Sequence, residues 1–566
     1  MNMNDDKRTM RWAMVLTAVA SALLQLWRPL YHLTDDNLSG WLPAVTEFNR
    51  RLWQGEWPFI SQGVFGGNFD ALADPGVQGL LSPFSLLFSW VSLTEYAYTL
   101  VDVVSVCTSF CIAASFCWSA LWLRRHFALD TPRSLIVLLT LSFTFSPYNL
   151  FVGSAWLGFL SPQASLPLMI VGCLHPSARR GTLLQIGALL FSFFGGHAHT
   201  FVMLCLFSGV IGAAIAWHER RADPLLRVMV AGAVTAVLVL PVVWKAFANF
   251  STSQRAAGLS ASDGTTLRFE LPLLLTTVLA GPIAALVSTH TLEQANDISR
   301  GLMSSGYSVV NFMFVMSIAT MIRHKGMHRF TWVFVILLIV SGLFVTRPDW
   351  LAAGIAHVPV LRSLRWPFRE VWIVVLAIHF LLLFEPKWLG PRERPALLSA
   401  GALVLCLLLL LPPPTLGAFT TDRRLLFSGV ARQYWTEMQR RHGPVRGLVV
   451  GMDTIHVSPP RERIPFTLLG THNFGSYFGF TSSMGYTFIP SIRRVSSDDP
   501  EQPYHPGGMF ERADARAISR RHPDYWLVEL ESLSPPRWTV RTPGGRWRYQ
   551  YDSSANVVRP VGVATD

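Results

Sequence analysis

Two adjacent carboxylates, Asp35 and Asp36, directly follow the first apolar run of this 566-residue chain. They open a polar, Trp-rich stretch, residues 34–58, that cannot cross a bilayer. Acid beside a membrane span is costly unless it faces water or has a task. The pair is therefore either a solvated interface feature or the start of an active site. A second chemical set is Arg365 and Arg369, in the run Leu364-Arg365-Trp366-Pro367-Phe368-Arg369-Glu370. The planar fork of arginine can hold two phosphate oxygens; the plain alternative is snorkelling at the interface. Lys245 is a further cationic candidate near a span end, and Arg268 and Glu270 are weaker ones.

Gly195-Gly196-His197-Ala198-His199 falls between two apolar segments. Histidines at i and i+2 leave a helix in different directions, and no HExxH or cysteine partner accompanies them. Metal binding, hydrogen bonding to a sugar or phosphate, and a structural role all stay open for His197 and His199. Asp102, near a span end, is either a second active-site acid or a helix-packing partner. His379, in mid-span, reads as a packed, hydrogen-bonded helix residue.

The elements that must position these groups are membrane helices. The chain is 51% hydrophobic and 14% charged, against about 25% charged in an average soluble domain. Mean hydropathy is +0.35. The net charge of +12 fits basic loops between spans better than one basic nucleic-acid face. All six cysteines lie in apolar segments, so neither a disulfide framework nor a thiol metal site is expected. Cys107 and Cys111 read as small core hydrophobes.

A span needs about 20 apolar residues. That test predicts about eleven, centred near residues 20, 110, 142, 165, 188, 208, 235, 314, 338, 376 and 404. With the N-terminus inside, the inner connections carry Arg124-Arg125-His126, Arg179-Arg180, Glu219-Arg220-Arg221, Arg323-His324-Lys325 and the basic stretch 387–394. All are short and basic, as inner loops should be. The first apolar run is too long for a cleaved signal and reads as an uncleaved span. Segments 79–91 and 271–287 are expected as interfacial or re-entrant pieces on the outer face. Three long outer loops result: 31–95, 248–304 and 347–365.

After Pro412-Pro413-Pro414 the chain turns polar. Residues 446–451 and 525–530 read as strands. Residues 538–551 read as a hairpin turning at Pro543-Gly544-Gly545, with Trp547, Tyr549 and Tyr551 on one face. The expected division is a helical membrane domain, 1–415, and an α/β or mainly-β extracytoplasmic domain, 416–566.

The ordered set Asp36, Trp41, Pro43, Gly55-Glu56-Trp57-Pro58, Gly66-Gly67, Ala73-Asp74-Pro75 and Pro83 resembles the YfhO-like bacterial membrane proteins and, more widely, the GT-C glycosyltransferases. Phe59-Ile60 departs from the aromatic-rich continuation usual there. The likeness covers roughly 10–250 and the Arg365–Glu370 element, and is faint beyond 416. It implies a polytopic GT-C-like fold in the inner membrane of a bacterial cell. The implied activity is transfer of a sugar from a polyprenyl-phosphate donor to an envelope glycan or lipid on the outer face. Asp36 would be the base that takes the acceptor's proton, with Asp35 the close alternative. Arg365, Arg369, Lys245 and His197 would bind the donor phosphate, and Asp74, Asp102, His199 and Glu56 would support them. Neither a Walker loop nor a Rossmann fingerprint is present, so no nucleotide cofactor is expected, and a divalent metal stays open. The rival readings are a transporter or flippase of a lipid-linked intermediate, and a non-catalytic assembly protein of the same fold.

Overall fold

The computed structural model describes residues 3–33, 37–61, 69–70, 79–250, 328–358, 361, 367–384, 425, 429–452, 466–470, 474–478 and 510–563. In chain order its main helices are α1 (Met3–Trp27), α2 (Leu42–Trp53), α3 (Pro83–Leu87), α4 (Leu100–His126), α5 (Arg133–Thr144), α6 (Pro147–Ala155), α7 (Ser161–Leu174) and α8 (Ala178–Gly195). They continue as α9 (Ala198–Glu219), α10 (Asp223–Phe250), α11 (Thr331–Thr346), α12 (Asp349–Ala356), α13 (Val371–Phe384), α14 (Val430–His442) and α15 (Arg512–Arg521). The chain divides into two compact units. One comprises Met1–His32, Asp102–Pro241 and Gly258–Leu416; the other comprises Leu33–Val101, Val242–Ala257 and Gly417–Asp566.

The first unit is helical. Among the described residues, five helices are long and apolar enough to cross a membrane, six if α11 and α12, bent by 85°, count as one. This does not reach about eleven. The expected spans near 314 and 404 lie outside the described residues, as does segment 271–287. Helices stand at the other nine positions, but three fall short. Near 142, α5 stops after twelve residues. Pro147 pushes Ser146 to ψ 144°, because the residue before proline avoids the helical region. Near 188, Arg179, Arg180 and Gln185 dilute α8. Near 376, α13 is only fourteen residues long.

Burial separates inner from outer helices. Almost all of α7 and α13 is buried. Trp12, Val15, Val19, Leu23 and Leu26 of α1 and Met229, Val230, Val237 and Leu238 of α10 are exposed. Large apolar side chains turned outward along a whole helix suit lipid rather than water.

The unit has two chemically distinct ends. At one, Asp6 pairs with Arg125 at 3.3 Å and Arg133 at 3.2 Å. Trp122 stacks on His126 and His175. Arg227 donates to His175 O at 2.6 Å, and Phe127 and His218 meet Phe330. The basic connections after α4, α7 and α9 thus share an end with the N-terminus. The other end carries the histidine and arginine cluster described below.

Helices α7 and α8 approach closely through Gly172 and Gly181. Small residues let membrane helices meet backbone to backbone, with side-chain hydrogen bonds across the seam. Here Ser165 Oγ donates to Ala188 O at 2.7 Å and Gln185 Nε2 to Met169 O at 3.3 Å. A Cβ on Gly181 would run into the Gly172 carbonyl oxygen, and backbone cannot swing aside. Gly181→Ala is therefore expected to cost about 1–3 kcal/mol, read as a lower thermal midpoint in detergent.

In the second unit, α2 carries Pro43 in its first turn, a position that suits proline. It buries Leu42, Val45 and Phe48 beside Trp41. Asn49 Nδ2 donates to Ser92 Oγ at 2.9 Å and Trp53 Nε1 to Ser89 Oγ at 3.1 Å. Within 79–91 stand the single turn α3 and the start of a 3-10 turn, Ser89–Leu93, and no long helix. Arg50 Nη2 donates to Tyr477 O at 2.8 Å, tying this loop to the C-terminal segment. Burial, then Arg432, holds the Arg50 guanidinium below its ordinary value, and burial raises Tyr477.

Apart from the two-residue pair β1 (Ile60–Ser61) and β2 (Phe69–Asp70), the strands form one sheet. They are β3 (Leu448–Met452), β4 (Phe510–Glu511), β5 (Trp526–Leu533), β6 (Pro536–Thr542), β7 (Gly545–Asp552) and β8 (Val557–Val563). Their order is β4-β3-β5-β6-β7-β8, with β3 parallel to β4 and β5 and the rest antiparallel. The expected hairpin is β6–β7, pairing Trp538 with Tyr549 and Val540 with Trp547. Side chains alternate across a sheet, and the two faces take different helices. Ala515 and Ile518 of α15 pack on Val449 and Leu527. On the other face Tyr434 of α14 meets Trp538 and Tyr549, its hydroxyl accepting from Trp538 Nε1 at 3.0 Å.

Candidate functional site

The break between α8 and α9 builds the site. The Gly195-Gly196 pair permits tight contacts: a Cβ on Gly195 would lie 2.7 Å from Ser161 Oγ, which donates to Gly195 O at 2.6 Å. His197 N donates to Gly158 O at 3.0 Å. His197 then caps α9, its Nδ1 accepting from His199 N at 3.2 Å. That bond leaves the neutral ring's proton on Nε2. The ring stacks on Phe159 with centroids 5.2 Å apart. His199, two residues on, turns elsewhere, and its Nε2 lies 2.6 Å from Glu370 Oε1.

Glu370 ends a 3-10 turn, Pro367–Glu370, immediately before α13. It is fully buried. Arg369 beside it lays its guanidinium 4.8 Å from the Phe159 ring and 5.0 Å from Trp156. Such cation–π contacts hold the planar group in place. Tyr148 OH, from α6, donates to Arg369 O at 2.6 Å. Arg347, at the left-handed end of α11, is 1% exposed. Burial disfavours the charged form of Glu370, while the charges of Arg347 and then Arg369 favour it. Four stretches of chain thus place two arginines, two histidines, a carboxylate and two aromatic faces together at the end away from the basic connections. The arrangement has the makings of an anion site with flat apolar walls.

Of the residues predicted from sequence, His197, His199 and Arg369 meet here around Phe159. Asp35, Asp36, Asp74, Arg365, Arg268 and Glu270 lie outside the described residues. Lys245 stands on α10, with only its backbone described. Glu56 is half-exposed in the other unit and pairs with Arg51 at 3.2 Å, a local contact that steadies the turn after α2. His379 is buried in α13, bonded to Val375 O at 2.7 Å and Ser142 Oγ at 3.3 Å. Among the described residues, no group of three His, Cys, Asp or Glu side chains could hold a metal ion.

Asp102 has a separate setting in the same unit. Its Oδ1 takes hydrogen bonds from Gln25 Nε2 at 3.0 Å and His32 N at 3.2 Å, and lies 2.9 Å from His32 Nδ1. Sequence reading missed Glu370, Arg347 and His32 as site residues. The signal available was general: each is ionisable at the edge of an apolar segment, where such groups need partners.

No protein-family model matches the chain, and no curated protein matches it either.

Proposed function

We propose that this chain is a glycosyltransferase of the GT-C kind in the inner (cytoplasmic) membrane of a bacterial cell, taking a sugar from a polyprenyl-phosphate donor to an envelope glycan or lipid on the outer face. The observation that supports this most is the Arg369 guanidinium held against Trp156 and Phe159 beside His197. A sugar phosphate needs both parts of that arrangement: fixed positive charge for the phosphate oxygens and aromatic surface for the sugar ring. In the reaction, Asp36 takes the acceptor hydroxyl's proton as its oxygen bonds to the anomeric carbon. The bond from that carbon to the phosphate oxygen breaks, and the lipid phosphate leaves with the electron pair. Arg365 and Arg369 stabilise the leaving charge, with Lys245 and His197 as further donors. The cluster lies at the end away from the basic connections, consistent with an outer-face site under the positive-inside rule.

A flippase reading draws on the two buried histidine–carboxylate pairs, His199–Glu370 and His32–Asp102, since ionisable groups inside a membrane often mark transport paths. Turnover by the purified, reconstituted protein separates the readings. With a panel of polyprenyl-phosphate sugars, the transferase releases polyprenyl phosphate. Movement of intact donor across the vesicle wall without release means a flippase; neither activity leaves an assembly protein. Asp36→Asn made at normal protein level should lose the release, and an unchanged rate ends the base assignment.

A further inference from the structure

The C-terminal sheet carries a cationic side that the transferase reading does not use. Side chains alternate across a strand, so register decides which residues stand together. Leu527 of β5 pairs with Arg541 of β6, and Glu529 with Thr539. Arg541 in turn pairs with Arg546 of β7, Thr539 with Arg548, and Arg537 with Gln550. All of these share the side on which α15 packs over Leu527. On α15, Arg512, Arg516 and Ser519 recur at i, i+4 and i+7 along one flank. That flank meets β6, where Arg541 Nη2 donates to Ser519 Oγ at 2.7 Å.

The charges on this side do not balance. The Glu529 side chain is 6% exposed and has Arg516 at 2.6 Å, Arg546 at 3.6 Å and Arg512 at 3.9 Å. Arg548 pairs with Glu531 at 3.0 Å. Arg541 is held by a neutral hydroxyl, and Arg537 is exposed. Among the described residues, six arginines therefore share two carboxylates here. One close arginine is enough to pair a buried carboxylate, so packing does not call for the others. Their surplus raises a positive potential over the surface. The nearest further acids do not cancel it. Asp514 lies on the opposite flank of α15 by helical spacing, and Asp552 pairs with Arg559 at 3.5 Å.

The pattern narrows the partner. Arginines on neighbouring strands lie about 5 Å apart and those two residues apart on a strand about 7 Å, so a partner must carry anionic groups in series. Each guanidinium can take a carboxylate or phosphate with two donors. The two acids discriminate. Set among the arginines, they oppose a chain as densely charged as nucleic acid, but a carboxylate accepts hydrogen bonds from hydroxyls. Glu531, 27% exposed, is placed to do so. The flank of α15 above β6 and β7 also makes a step, which fits a linear chain better than a flat bilayer. We propose that this side of the C-terminal sheet binds an acidic glycan, a chain bearing both carboxylates and hydroxyls. The inference goes beyond the transferase reading and does not depend on it.

The test uses the full chain in neutral detergent, titrated with labelled oligogalacturonate and with no sugar donor present. Binding is expected, to weaken as salt rises from about 0.05 M to about 0.5 M, and to resist competition by neutral dextran. Arg541→Ala with Arg548→Ala should weaken it about tenfold, as loss of charge-assisted hydrogen bonds does. Arg440→Ala on α14, which packs on the other side of the sheet, should leave it unchanged. If the double variant does not fold, competition on the unaltered protein decides: unlabelled oligogalacturonate should displace the label better than an oligonucleotide of equal charge or vesicles of an anionic phospholipid. Absence of binding, equal losses in Arg440→Ala and the double variant, or stronger competition by the oligonucleotide or the vesicles overturns the assignment.

Discussion

Glu370→Leu is expected to lower stability by about 3–5 kcal/mol, the cost of leaving a buried charge uncompensated. Glu370 is fully buried and Arg347 is 1% exposed. Arginine cannot shed its proton to escape burial, so losing the carboxylate leaves positive charge inside the helical unit. The His199 contact adds a charge-assisted hydrogen bond at 2.6 Å, stronger than a neutral one. The two contributions separate in a double variant. If His199 were the partner that matters, Glu370→Leu with His199→Leu would recover the stability, because replacing a whole buried pair by apolar groups is often neutral. If the arginines matter more, the double variant stays as unstable as Glu370→Leu. The second result is expected. The measurement is the thermal midpoint in detergent followed by loss of monodisperse protein; a Glu370→Leu midpoint equal to wild type would remove the carboxylate from the account of this fold.

What could be read from the chain before its structure follows from interaction range. The β6–β7 hairpin is local: alternation of Trp547, Tyr549 and Tyr551 and the Pro543-Gly544 turn lie within a few residues of one another. The common end of the basic connections also follows from short loops, each visible alone. The span count was harder, because hydropathy cannot distinguish a helix long enough to cross from one buried short inside a bundle. α13 is apolar throughout yet only fourteen residues long, and α5 ends where Pro147 forbids continuation. The grouping of residues 33–101 with the C-terminal segment depends on contacts such as Arg50 with Tyr477, 427 residues apart. No periodicity carries that information. The same holds at the site. His197 and Arg369 stood out by residue type, but Glu370 gained its role only through His199, 171 residues away, and Asp102 through His32, 70 residues away.

Arg369→Ala should cut donor turnover by about 10²–10³, the usual loss on removing one fixed donor from a developing negative charge. The loss should fall mainly in kcat/KM, since the guanidinium meets the phosphate in the bound donor and more strongly as the phosphate leaves. Arg369→Lys tests why arginine is there. An ammonium keeps the charge but has no plane to lie over Trp156 and Phe159, and it cannot hold two oxygens at once. The lysine variant should therefore stay near the alanine variant. Full rescue by lysine would reduce the site to bulk positive charge and remove the argument from the two aromatic faces. Phe159→Leu supplies the complementary case. It keeps an apolar wall but removes a ring that both His197 and Arg369 use, so it should weaken turnover even though no charge changes. The exposed Arg440, which pairs with Glu437 on α14, is the control: its replacement by alanine should leave turnover where it was. An Arg369→Ala protein that turns over donor at the wild-type rate would mean the phosphate is held elsewhere, and the cluster around Phe159 would then be a device of packing alone.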